Sequence, residues 1–205
     1  MKNKIIKDAL ALTLITLVAG VALGGVYEIT KDPIARQEAQ AKAEAYEQVF
    51  TDAAAFEEIE MDDTLIQTIR DQLDQEGYKA QSIEEVMRAE DQSGETLGYA
   101  FTVVTSEGYG GDIQFSMGVQ NDGTLNGISI LSIGETAGLG MNADTPAFKD
   151  QFVGKQVEQL QYTKKGATQD DEINAISGAT VTTNAMTNGV NAGLCAFRVM
   201  EGGDQ

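Results

Sequence analysis

An uncharged, mainly apolar run from Ala9 to Val26 limits what this chain can fold into more than any other feature. It holds 18 residues, bounded by Asp8 and Glu28, and only Thr13 and Thr16 within it carry polar side chains. At a helical rise of ~1.5 Å per residue it extends roughly 27 Å, about one bilayer hydrocarbon core. Lys2, Lys4 and Lys7 precede it, so the positive-inside tendency places residues 1–8 in the cytoplasm and everything after Tyr27 outside. The competing reading is a cleaved signal peptide, drawn from the small residues around Ala22-Leu23-Gly24. The run exceeds the usual apolar length of such a peptide and a helix-forming stretch follows it. An uncleaved transmembrane helix over residues 9–27 is therefore expected.

What remains after the anchor, under 180 residues, suits one medium domain. Residues 1–8 carry three Lys and one Asp, a net +2, against −18 for the whole chain, which leaves −20 downstream. Such acidity argues against nucleic acid as a partner, because neutralising phosphates requires clustered Lys and Arg. The single cysteine, Cys195, rules out an internal disulfide and a cysteine-ligated iron–sulfur cluster within this chain alone. Histidine is absent, which removes His-based triads, haem ligation by His and most zinc sites. No catalytic residue and no metal site is expected; Cys195 reads as a buried residue of the last helix.

Asp32-Pro33 marks a helix start, with Asp at the cap and Pro in the first turn, or a bend in a helix continuing from the membrane. The stretch to Phe50 is rich in Ala, Glu, Gln and Lys, all helix formers. A second helix is expected over Thr64–Gln75, capped by Asp62 or Asp63 and ended by Gly77. A meander follows, with candidate strands at Ile83–Arg88, Thr96–Thr105, Asp112–Val119 and Leu125–Ile133. Asn121-Asp122-Gly123 is a turn signal between the last two. A short helix starts at Thr145-Pro146, carries Phe148 and Phe152 and ends at Gly154. Val157–Tyr162 reads as a further strand, before a polar loop over Lys164–Glu172. Strands grouped in sequence with helices at both ends predict an α+β domain with a mainly antiparallel sheet behind the single transmembrane helix. The parts are residues 1–8, the anchor 9–27, a helical and connecting part 28–94, and a region 95–205.

Three loops in that last region carry small residues in unusual density. Ser177-Gly178-Ala179-Thr180 precedes a stretch from Thr183 to about Met200 with Ala185, Met186, Val190, Leu194, Phe197 and Met200 at roughly helical spacing. Thr182 or Thr183 is the expected N-cap. Gly178 permits unusual dihedrals and Ala179 adds no bulk, so a hydroxyl is presented beside a helix N-terminus, where free N–H groups and the positive dipole end favour a phosphate. Gly108-Tyr109-Gly110-Gly111-Asp112-Ile113 precedes a strand. It is no dinucleotide fingerprint, which joins a strand to a helix. Taken alone it reads as a glycine-containing hairpin. The third loop is Glu135-Thr136-Ala137-Gly138-Leu139-Gly140; taken alone it is a loop with a solvated Glu135.

Together these segments resemble the FMN-binding subunits of the Rnf and Na+-pumping NADH:quinone reductase complexes, in the family's order and behind an anchor where the family has one. The chain most resembles the RnfG family of the Rnf complex. Ser-Gly-Ala-Thr is similar to the family's flavinylation motif, in which the last Thr carries FMN through a phosphoester, so Thr180 is the implied attachment point. Ser177, Gly178, Ala179, Thr182 and Thr183 are its implied surroundings. The family usually has Asp three residues before the Ser, and this chain has Asn174. Glu135 to Gly140 resembles the family's Glu-Thr-Pro-Gly-Leu-Gly loop with Ala137 replacing Pro; Glu135, Thr136, Gly138, Leu139 and Gly140 are implied near the flavin. Thr136 would donate to a flavin carbonyl or phosphate, and the glycines would leave room for the ring. Tyr109 and Gly110 are implied near it too.

The resemblance implies an electron-transfer subunit of a membrane-bound ferredoxin:NAD+ oxidoreductase that moves Na+ or H+, with no substrate turnover of its own. It also implies neighbouring membrane and iron–sulfur or flavin subunits, and a flavin transferase for maturation. The runners-up are the NqrC-type subunit of the quinone reductase, a lone flavinylated carrier and, from another class, a non-redox membrane-anchored binding or scaffold protein.

Overall fold

The computed structural model of the chain describes residues 2–203. Two compact units are present, Met1–Ala41 and Lys42–Gln205. The first element, α1, is a helix over Lys2–Val49. It runs through Pro33 instead of starting anew there. Helix-forming neighbours on both sides keep the ladder going past the one N–H that proline cannot supply.

Within the first unit, Leu10, Leu14, Leu17 and Val21 are exposed although apolar. The hydroxyls of Thr13, Thr16 and Thr30 donate back to the carbonyls of Ala9, Leu12 and Val26 at 2.9, 3.1 and 2.9 Å. A helix whose polar side chains bond to its own backbone and whose apolar side chains face outward suits hydrocarbon as its solvent. It is long and apolar enough to cross a membrane.

The second unit is built on a five-stranded antiparallel meander: β1 (Ala55–Glu58), β2 (Gln81–Glu90), β3 (Thr96–Thr105), β4 (Ile113–Gln120) and β5 (Leu125–Ile133), in that spatial order. Between β1 and β2 lies α2 (Asp63–Glu76). Its N-terminus is closed by the Asp62 carboxylate, which accepts from Leu65 N–H at 2.7 Å, and its C-terminus by Gly77 at φ +91. After β5 come a 3-10 turn at Gly140–Asp144, the short helix α3 (Pro146–Lys149) and a second 3-10 turn at Asp150–Phe152. The expected strand over Val157–Tyr162 is instead Gln161–Thr163 (β6), which pairs in parallel with Glu172–Asn174 (β7). The last helix is α4 (Thr180–Gly203).

Both sheet faces are covered, and period-two alternation assigns the side chains. Phe101 and Val103 join the main core with Phe115, Met117, Met186 and Val190, whereas Ala100 lies with Tyr46 and Val49 from the end of α1 and Phe50 just after it. Each large apolar side chain buried in this way stabilises the fold by about 1.5–3 kcal/mol. Two glycines let α4 close on the sheet. A Cβ at Gly189 would meet Phe115 Cε1 at 2.8 Å, and one at Gly193 would run into the Met117 side chain. On the other face the Tyr46 hydroxyl lies 2.7 Å from Thr102 Oγ1, and Ser129 Oγ donates to Gln48 Oε1 at 2.9 Å.

Candidate functional site

The connection from β7 to α4 decides which hydroxyl is presented. Gly178 adopts φ +76, a left-handed turn, and Ala179 N–H donates to Ile176 O at 3.1 Å. The first i→i−4 bond of α4 runs from Thr183 N–H to Ala179 O at 3.0 Å. Thr180 is thus the first residue of the helix, and neither Thr182 nor Thr183 is its N-cap. The reason lies in Thr183, which is fully buried. Its hydroxyl accepts from Ile176 N–H at 3.0 Å and donates to Ala179 O at 2.8 Å, stapling the turn from inside. Thr182 is 1 % exposed. Thr180 is half-buried, and among the described residues its hydroxyl has no hydrogen-bond partner. The N–H groups of Thr180, Val181 and Thr182 precede the first helical bond and face out of the helix end.

The loop after β5 folds back on this end. Leu139 N–H and Met141 N–H both donate to Thr136 O, at 3.1 and 3.2 Å, and Gly138 turns the chain at φ +75. Glu135 is not solvated but buried, and its Oε1 accepts from Gly110 N–H at 3.2 Å. The tight spacing involves protein on both sides. A Cβ at Gly140 would meet Thr182 Oγ1 at 2.6 Å and Glu135 Cβ at 2.7 Å, and one at Gly110 would collide with the carbonyl of Gly134. These two glycines let loops approach one another, whereas the sequence reading assigns them to making room for a ring.

The third loop, between β3 and β4, is tied to α4 by Glu107, whose Oε2 accepts from Asn188 Nδ2 at 2.7 Å and Asn184 Nδ2 at 3.3 Å. Sequence reasoning did not single out Glu107. The signal was Asn184 and Asn188 one helical turn apart on the face that begins at Thr180.

Together the loops enclose a cavity of about 550 Å³, lined by Tyr109, Glu135, Thr136, Leu139, Gly140 and the run from Gly178 to Thr182. Ser177, Thr183, Gly110 and Gly138 stand behind the lining and shape its turns. Val181, which the sequence reading passed over, is part of the wall. A larger cavity of about 610 Å³ between α2 and β2 holds none of the motif residues.

The volume falls within the ~300–1,000 Å³ of cofactor sites. One wall carries open helix N–H donors suited to a phosphate, and Tyr109, Leu139 and Val181 provide apolar surface for a planar ring. Glu135 is the only carboxylate in the lining, so the end of α4 supplies the local positive potential in an acidic protein. Asn174, at the position of the family's Asp, is occupied structurally. Its side-chain amide donates to Gln151 Oε1 at 3.0 Å, and its Oδ1 accepts from Ala167 N–H at 2.8 Å.

Residues 108–194 match the FMN-binding domain family, and residues 1–49 match the RnfG N-terminal region. The chain is 32% identical over 196 residues to the G subunit of the Na(+)-translocating ferredoxin:NAD(+) oxidoreductase complex of Acetobacterium woodii, covering 95% of this chain and 92% of that one. It is 28% identical over 202 residues to the G subunit of the proton-translocating ferredoxin:NAD(+) oxidoreductase complex of Clostridium ljungdahlii, covering 98% and 96%. Among solved structures, the crystal structure of Shewanella oneidensis NqrC superposes with a TM-score of 0.49 at 21% identity, over 58% of this chain and 59% of that one.

Proposed function

Because the chain belongs to the RnfG family, we propose that it is the electron-transfer subunit of an ion-translocating ferredoxin:NAD+ oxidoreductase and carries FMN joined by a phosphoester to Thr180. The observation that carries this reading is the place of Thr180. It opens α4 on the wall of the one cavity into which all three motif loops converge. The neighbouring hydroxyls are poor rivals, since Thr182 is buried and Thr183 is committed to two local bonds.

When bound, FMN supplies one- and two-electron redox chemistry; the chain supplies position and electrostatics. The N–H groups of Thr180, Val181 and Thr182 would hold the FMN phosphate. Thr136 would offer the flavin a hydroxyl, and Leu139, Val181 and Tyr109, exposed on the cavity wall, would give the ring apolar surface to cover. The Glu135 carboxylate in the lining and the acidity of the chain would make gain of negative charge on the cofactor less favourable and so lower its potential. With the flavin in this cavity, neighbouring subunits of the complex would provide the electron donor and acceptor. A flavin transferase installs the cofactor.

The chain is membrane-anchored. Lys2, Lys4 and Lys7 support an orientation with the N-terminus cytoplasmic and the flavin domain outside. Protease added to spheroplasts is expected to digest the domain while the N-terminus stays protected; digestion only after membrane disruption would reverse the orientation.

Attachment is tested in a denaturing gel, where the band is expected to fluoresce under ultraviolet light and Thr180→Val to abolish the signal. Peptide mass mapping is expected to place the FMN on Thr180 and not on Thr182 or Thr183. Membranes carrying Thr180→Val should lose ferredoxin-dependent NAD+ reduction. Fluorescence that survives the substitution refutes the assignment.

A further inference from the structure

We propose that Glu107 is a positioning residue of the flavin cavity, clipping the loop that carries Tyr109 onto the face of α4 that begins at Thr180. The proposal rests on the flavin reading above for what the loop covers. Its own basis is geometric.

Tyr109 is 75 % exposed and lines the cavity, yet it sits in a loop with glycines at 108, 110 and 111, the last at φ +124. Glycine-rich backbone is the most permissive kind, so an aromatic ring on it keeps one position only if side chains hold the loop on both sides. Two carboxylates do so. Glu135 accepts from Gly110 N–H at 3.2 Å from within the cavity wall. Glu107, outside the lining, accepts from Asn188 Nδ2 at 2.7 Å and Asn184 Nδ2 at 3.3 Å. The two asparagines lie four and eight residues after Thr180, hence on the same helix face. The clip therefore fixes Tyr109 relative to the helix that bears the attachment point. Glu107 acts through the loop and does not touch the cofactor cavity.

One carboxylate oxygen accepting from two amides explains the choice of residue, and it defines a test by exchange of donor and acceptor. Glu107→Gln keeps an acceptor for both asparagines. Asn188→Asp sets two carboxylates against each other and leaves only the longer Asn184 bond, which weakens the clip. Glu107→Gln combined with Asn188→Asp restores a bond, because the glutamine amide now donates to the aspartate.

The measurements use purified full-length flavinylated protein. A tyrosine held against a flavin quenches its fluorescence by electron donation. Glu107→Ala and Asn188→Asp are therefore expected to raise flavin fluorescence and shift the flavin potential, with the flavin still attached. Glu107→Gln alone, and the double exchange, are expected to retain or recover the wild-type signal. A residue that merely stabilised the fold would lower the melting temperature without this pattern of recovery. Hydrogen exchange of the Tyr109–Gly111 amides, measured also in the Thr180→Val background, reads the clip independently of the cofactor. Exchange there should accelerate in Glu107→Ala and not in Glu107→Gln. Wild-type fluorescence, potential and loop exchange in Glu107→Ala overturn the proposal, as does a double exchange no better than Asn188→Asp alone. A wild-type protein that carries no flavin overturns the flavin reading instead, and loop exchange then decides the clip.

Discussion

Gly140→Ala probes how tightly the Glu135 loop is pressed against the start of α4. The backbone at Gly140 is not in the left-handed region, so the new methyl group adds no dihedral strain. What it adds is contact. The Cβ would stand 2.6 Å from Thr182 Oγ1 and 2.7 Å from Glu135 Cβ, and closer still to the Glu135 carboxylate, where ordinary contact is 3.4–4 Å. Glu135 and Thr182 are both buried, so neither side chain swings freely into solvent. Overpacking of this kind costs about 1–3 kcal/mol. If the Glu135 carboxylate is driven off Gly110 N–H, a charge-assisted bond worth about 1.5–3 kcal/mol is lost as well. For a fold of this size each kcal/mol lowers the melting temperature by about 2–4 °C. The contact alone then predicts a fall of about 2–12 °C, followed by tyrosine circular dichroism on the full chain in detergent. Gly138→Ala is the matched control. Its Cβ meets nothing within 4 Å, but its φ of +75 strains any side chain. It should destabilise the loop without pressing on Glu135 or Thr182, so Thr182→Ala should recover part of the loss in Gly140→Ala, leaving the Glu135 contacts, and none in Gly138→Ala. A Gly140→Ala protein that melts within a degree of wild type would show that the loop and the helix are not in contact as described.

Two further expectations concern the rest of the domain. Burial, and then the nearby Glu76 charge, push the Cys195 thiol up to about 12. The folded protein should resist iodoacetamide at about pH 8.5, near the ordinary thiol range, and label only after unfolding; rapid labelling of the native state would contradict the buried position. Since an unfolded thiol ionises near 9 and the folded one does not, stability should fall as pH rises from 9 towards 12. Arg198 joins the ends of α4 and α2, donating from Nη2 to both Glu76 oxygens at 3.0 and 2.8 Å. Burial pushes the Glu76 carboxyl up, but hydrogen bonds from Gln72 and Arg198 outweigh it and hold the group below its usual value. Arg198→Ala should lower stability at neutral pH by less than about 1 kcal/mol, as for a largely exposed pair. That difference should shrink as pH falls below 4.5 and Glu76 takes up its proton, and a loss that persists in strong acid would point to packing or to the Nη1 bond to the Glu158 carbonyl at 2.9 Å instead of the ion pair.

Local rules carried much of the fold. β3 and β5 have the bounds their alternation predicts, the β4–β5 connection turns at Gly123 with φ +83, and α2 ends at the expected Gly77. The failures have a common cause. β1 is four residues long and exists only because Ala55 to Glu58 pair with β2, and β6 and β7 are three-residue strands that define each other. Segments so short have no periodicity of their own to read. The start of α4 was misplaced because Thr182 and Thr183 look like caps in sequence, whereas Thr183 turns inward to hold Ile176 and Ala179.

The candidate site divides in the same way. The membrane-length apolar run, the absence of histidine and the three small-residue motifs are properties of residue order, and the sequence by itself determined the anchor, the excluded chemistries and the candidate residues. Only the tertiary structure decided that Tyr109, the Glu135 loop and Gly178 to Thr182 share one cavity, that Thr180 is the most exposed of the three threonines, and that Glu107 bonds to Asn184 and Asn188. Turn and capping preferences act over a few residues and are legible in order. A cavity between loops separated by dozens of residues forms only where packing brings them together, here because Gly189 and Gly193 let α4 settle onto Phe115 and Met117.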